Sequence, residues 1–207
     1  MMNNSKSPGL SLEVTVYRVV SPSEFDALQL STRHEIGRLE GFHAGLSLRG
    51  AEEPGLRADV ALWTSLGVAR EAAEVLMNAP RFTLFRGAVE SVRHLAHYRA
   101  PSLETWRALG RGPVLEVAAY RSHPGTDMDG LQRAVHDALP GVRGMHEAFA
   151  SPRQDGEEGH LDLIAWADLA SIQAAPPQVM AQNPGVGPFF ASIEETHVFD
   201  PFEVIRG

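Results

Sequence analysis

Residues 56–66 read Leu56-Arg57-Ala58-Asp59-Val60-Ala61-Leu62-Trp63-Thr64-Ser65-Leu66, and residues 159–169 read Gly159-His160-Leu161-Asp162-Leu163-Ile164-Ala165-Trp166-Ala167-Asp168-Leu169. An Asp, a Trp and a Leu coincide at a shift of 103 positions. The same shift brings Leu12-Glu13-Val14 onto Leu115-Glu116-Val117 and Tyr17-Arg18 onto Tyr120-Arg121. It also aligns Leu28-Gln29 with Leu131-Gln132, and Gly41-Phe42-His43 with Gly144-Met145-His146. After a slip of one residue, Pro80, Phe85 and Glu90 meet Pro184, Phe189 and Glu194. Each match alone is weak. One shift that serves several elements in order points to an internal repeat, the feature that decides an architecture when present.

Outward from the two tryptophans, each half reads β-α-β-β-α-β. In the first half the strands are Leu12 to Val20, Phe42 to Arg49, Arg57 to Trp63 and Ala88 to Tyr98. They are rich in β-branched and aromatic residues. A helix begins at Ser21-Pro22, where Pro suits the first turn, and runs through Arg38. A second runs from the cap Ser65 to Asn78, with Val68, Ala72, Val75 and Leu76 as its apolar stripe. The second half repeats the order as Val114–Ser122, Met128–Leu139, Val142–Ala150, His160–Trp166, Leu169–Gln182 and Ser192–Phe199. Pro176-Pro177 removes two amide donors from the last of these helices and predicts a break near Ala175. The domain plan is therefore a tail at 1–10, a first repeat at 11–98, a linker at 99–113 and a second repeat at 114–207. The linker holds one or two helical turns ending at Gly110; as flexible coil it would still reach roughly 20 Å.

A four-stranded sheet with both helices on one face leaves the other face to be covered. In residues 12–20, Leu12, Val14 and Val16 lie opposite Tyr17 and Val19, so both faces are apolar. Two such sheets packed against each other bury the exposed faces. The fold class is α+β: two tandem ferredoxin-like βαββαβ repeats packed sheet to sheet as a single-chain dimeric α/β barrel. The chain is then a pseudo-dimer, with further homodimerisation left open.

Composition narrows the partners. The net charge is −8 with no basic run, which argues against nucleic acid and anionic membranes. The absence of cysteine excludes thiolate nucleophiles, disulfides and Cys-ligated zinc. No signal-peptide-like or membrane-length apolar segment is present, so the expectation is a cytoplasmic protein.

Each half resembles the antibiotic-biosynthesis-monooxygenase domain of the dimeric α/β-barrel superfamily. The resemblance rests on a strand ending in Trp before a polar helix start (Trp63-Thr64-Ser65 and Trp166-Ala167-Asp168). An Ala-rich helix and a Pro-Phe turn into the last strand follow. It covers nearly all of residues 11–202. It implies a small-molecule-binding barrel with a pocket between helices and sheet. It further implies monooxygenation of a small aromatic or quinol-like compound without metal or cofactor. The alternative is a non-catalytic ligand-binding or stress-response barrel. Haem degradation, known among related families, is disfavoured because 65–85 and 169–190 contain no His.

Asp59 and Trp63 are four apart on one strand and share a face, as do Asp162 and Trp166. Asp stands where the resembled proteins carry an amide, and a carboxylate there can act as a base. These four, with His43 and His146 at the start of the second strand of each half, are the candidate catalytic residues. Tyr17 and Tyr120 are candidate ligand-binding phenols. Core packing of the tryptophans and ordinary strand roles for the others are the competing readings. His94 and His97, three apart on a strand, face opposite sides and make a poor metal pair. Gly185-x-Gly187 reads as a turn, and the acidic run 155–159 as solvated loop.

Overall fold

The structure, a computed structural model, describes residues 9–206; most of the tail expected at 1–10 lies outside the described residues. The first half runs β1 (Ser11–Val19), α1 (Pro22–Ile36), β2 (Phe42–Gly50), β3 (Leu56–Trp63), α2 (Leu66–Asn78), α3 (Thr83–Ala88) and β4 (Val89–Arg99). Helix α4 (Leu103–Leu109) follows. The second half runs β5 (Val114–Ser122), α5 (Met128–Ala138), β6 (Met145–Pro152), β7 (His160–Trp166), α6 (Leu169–Gln182), α7 (Gly187–Ala191) and β8 (Ile193–Ile205). The class is α+β, with an eight-stranded antiparallel sheet in the order β4-β1-β3-β2-β8-β5-β7-β6.

The starts of α2 and α6 are capped by side chains, whereas Ser21, ahead of α1, makes no such bond and Pro22 marks that start. Ser65 accepts a hydrogen bond from the Val68 amide, and Asp168 accepts one from Ser171. Such caps satisfy amides that the first turn cannot. The predicted break in α6 does not occur: the helix is continuous from Leu169 to Gln182 with both prolines inside it. Pro176 and Pro177 lie on the exposed face, where water can serve the carbonyls deprived of a partner.

The two four-stranded sets do not stay separate. They join edge to edge through β2 and β8, from Ser47 opposite Ile205 to Gly50 opposite Phe202. The sequence reading ended the last strand at Phe199; the strand continues through Asp200-Pro201 and supplies this seam. A second seam brings β4 to the end of β6, where Tyr98 bridges Arg153 and the Gln154 amide donates to the His97 carbonyl at 2.9 Å. There Asp155 accepts from the His97 amide at 3.0 Å and from Arg153 Nε at 2.8 Å. Asp155 is thus a seam residue, not part of a solvated loop.

Between the seams the inner faces meet. Leu12, Val14 and Val16 share one buried cluster with Leu115, Val117 and Ala119. Trp106 and Leu109 of α4 belong to the same cluster. The linker is therefore a structural part of the core and not flexible coil.

Gly41 and Gly144 precede β2 and β6 with φ of 75° and 83°. A Cβ on Gly144 would lie 2.1 Å from Ser171 Oγ, and one on Gly41 2.6 Å from Val68 Cγ1. Each glycine lets the chain pass under the first turn of the following helix. Gly144→Ala is expected to destabilise the fold by roughly 1–3 kcal/mol, from the left-handed backbone and the clash together. Urea unfolding of the variant checks this; an unchanged midpoint would show that the helix start yields at no cost.

Candidate functional site

The outer face of each half-sheet, away from the shared core, lies under the helices and bounds a cavity. The first, of about 270 Å³, lies between β1, β3 and the helices α1, α2 and α3. The second, of about 450 Å³, lies between β5, β7, β8 and α5, α6 and α7. Both linings are mainly apolar. At the mouths stand exposed side chains, Met77, Val92 and Leu95 for the first and Met180, Phe190 and Phe199 for the second.

In the first cavity Tyr17, Asp59 and Trp63 share one lining, because alternate residues of β1 and β3 face the helices. Asp59 accepts three hydrogen bonds. Its Oδ2 takes the Tyr17 hydroxyl at 2.6 Å. Its Oδ1 takes Ser47 Oγ at 2.9 Å and Gln29 Nε2 at 3.1 Å. Burial pushes the carboxyl up to about 6, and these three donors, with the charge of Arg33, hold it from rising further. Trp63 is 2% exposed, and its indole Nε1 has no protein partner. The Gln29 Oε1 atom is likewise buried without one.

The second cavity brings Tyr120, Asp162 and Trp166 together in the same way. Tyr120 donates to Asp162 at 2.6 Å, and burial beside that carboxyl pushes the phenol well above its ordinary value. His136 of α5 shares a 2.7 Å hydrogen bond with Asp162. Here the indole is engaged: Trp166 Nε1 donates to Glu116 at 3.0 Å.

The remaining candidates lie elsewhere. His43 and His146 sit at register breaks where β2 and β6 start against β3 and β7. Both are exposed, and neither is in a cavity lining. The bulge turns the side chain out of the alternation that a regular strand would impose. His94 and His97 have separate partners: His94 meets Tyr98 at 3.0 Å and stacks on His197, and His97 meets Glu13 at 3.2 Å.

Sequence reading missed Gln29, Ser47, Glu116 and His136. Gln29 and Gln132 were visible as a repeat match, yet a Gln beside a Leu on an apolar helix face gives no sign of its burial. The matched pair Glu13 and Glu116 carries the same signal, and in sequence it marks only the register of the repeat.

The architecture recurs in solved structures. No family model matches the sequence, and no curated protein matches it. An anthrone oxidase-like protein superposes with a TM-score of 0.72 at 14% identity, covering 95% of this chain and 92% of that one. A chlorite dismutase from Candidatus Nitrospira defluvii, in complex with imidazole, superposes at 0.63 and 9% identity, covering 97% and 92%. The fold is that of the dimeric α/β barrel. At these identities the likeness concerns the fold, and fold alone does not fix chemistry. Neither cavity lining includes a histidine. Among the described residues no helix is long and apolar enough to cross a membrane.

Proposed function

We propose that the chain is a single-chain, duplicated α/β barrel that binds a small aromatic or quinol-like compound in its first cavity and oxidises it with molecular oxygen, without a cofactor. One observation carries this reading: an apolar cavity holds a half-buried carboxyl on the same wall as an indole N–H that has no protein partner. An unpaired buried donor costs about 1–3 kcal/mol, and a ligand oxygen placed there removes that cost. A carboxyl near 6 is largely ionised at neutral pH yet still basic enough to accept a proton.

The step balances with oxygen as co-reactant. The Asp59 carboxylate takes a proton from the activated CH₂ of an anthrone-like substrate. The electron pair left on the ring system reduces O₂, a C–O bond forms, the peroxide anion takes the proton back from Asp59, and the hydroperoxide loses water to leave a carbonyl. Trp63 Nε1–H holds the substrate oxygen on which the negative charge develops. The barrel's second half would be the counterpart of a partner subunit, and the acidic, cysteine-free chain suits a cytoplasmic setting.

Oxygen-electrode assays with a panel of anthrones and hydroquinones test the proposal. Trp63→Phe is expected to lower uptake about tenfold, the worth of one hydrogen bond to a charged oxygen. No turnover with any compound, or no loss in the variant, would remove the oxygenase reading. Thermal stabilisation by the same compounds without oxygen uptake would mark a non-catalytic binding barrel instead.

A further inference from the structure

Glu13 and Glu116 occupy matching positions on β1 and β5, each facing a cavity, but their surroundings differ. Glu13 lies opposite His97 of β4 and is hydrogen-bonded to it at 3.2 Å. The residue opposite Glu116 on β8 is Pro201, which offers neither charge nor donor. Glu116 turns instead to Trp166 Nε1, which donates to its Oε2. No hydrogen bond to its other oxygen forms among the described residues, and Glu116 is part of the cavity lining.

The groups around Glu116 are few. On its own strand Tyr120 faces the same cavity, and on β7 Asp162 does so with His136 of α5 bound to it. Further along β8, Glu203 is held by Arg49 at 2.6 Å. Helices α6 and α7, which roof the cavity, contain no charged residue at all, whereas α2 over the first cavity carries Arg70, Glu71 and Glu74. Helix α5 carries Arg133 and His136, but none of the residues that α5, α6 and α7 contribute to the cavity lining is a cation. Burial first, then the charge of Asp162, push its carboxyl up to about 7 against the pull of the Trp166 hydrogen bond.

We propose that the second cavity is a distinct binding site for an uncharged, flat aromatic carbonyl compound, whose oxygen accepts a hydrogen bond from the protonated Glu116 carboxyl. The site does not depend on oxygenase chemistry in the first cavity. There the same role falls to a free indole; here the indole is spent on orienting the acid. Apolar walls from Ile164, Ala175, Val179, Phe189 and Phe199 take the rings. The two cavities have thus diverged in the donor they present, one fixed and one that titrates.

A ligand that needs the carboxyl proton binds more weakly as that proton is lost, by up to tenfold per pH unit. The probe is 9-fluorenone, a flat ketone with no titrating group, measured by calorimetry between pH 6 and pH 9. Wild-type affinity is expected to fall at least tenfold from pH 7 to pH 9, a window above the titration of Asp59, so first-cavity binding stays level. Glu116→Gln keeps a donor and is expected to bind equally at both pH values. Glu116→Leu is expected to lose the pH-dependent component altogether. Absence of binding at pH 6, a flat wild-type profile, or a pH dependence that survives in Glu116→Gln would each overturn the proposal. Oxygen uptake lost with Trp63→Phe but kept with Glu116→Gln would separate this site from the first-cavity reading.

Discussion

Asp59→Asn is expected to slow oxygen uptake by about 10²–10⁴-fold, the usual worth of a positioned general base. The amide fills nearly the same space and can still meet Ser47 and Tyr17, so the loss reports the proton acceptor and not a collapsed cavity. The wild-type rate should rise with pH through about 6 and then level, because only the ionised carboxyl accepts the proton. Stability should move the other way. The folded carboxyl titrates at about 6 against 3.8 in the ordinary state, so the fold prefers the protonated form. That preference is fully present below about pH 4 and is lost as pH rises through 6, an effect on the order of 3 kcal/mol. The active form is therefore the form that the fold disfavours. In Asp59→Asn the rate and this span of the stability profile should flatten together. A variant that keeps full activity would remove Asp59 from the chemistry and leave it a structural acceptor for Tyr17.

The contrast between the two cavities also shows what the sequence could and could not convey. Period-two alternation along 56–63 and 160–166 places Asp59 with Trp63 and Asp162 with Trp166, since strand geometry fixes the face from spacing alone. For His43 and His146 the sequence offers only a repeat match after a glycine, and a bulge at the start of a strand, which turns them to solvent, leaves no clear mark in composition. The β8 extension was hidden by Pro201, a residue that usually argues against a strand interior. Here the Pro201 carbonyl still accepts from Ala51 at 2.9 Å beyond the end of β2, and the strand runs on to Ile205. Which donor pairs with which carboxyl depends on residues distant in sequence: Glu13 with His97, and Glu116 with Trp166. Nothing local to Glu13-Val14 or Glu116-Val117 distinguishes the two. That pairing, more than the repeated Asp and Trp, is what separates the cavities chemically.

Trp106→Ala is expected to cost about 3–5 kcal/mol of stability, as truncating a buried aromatic in a close-packed core does. Trp106 is 7% exposed and Leu109 fully buried, both among side chains from the two halves. Helix α4 earns this position locally: Ser102 caps it through the Thr105 amide at 3.1 Å, and Gly110 ends it. Because inner-face residues of both half-sheets meet in one cluster with Trp106, the cavity left behind is shared, and neither half can relax alone to fill it. The melting temperature should fall on the order of 10 °C while the protein still unfolds in one transition. Leu103→Ala, on the same helix but 45% exposed, should change it little. Were residues 99–113 only a tether, the two variants would behave alike and near wild type. Two separate transitions in Trp106→Ala would show instead that the halves are independent folding units held by their seams and not by a common core.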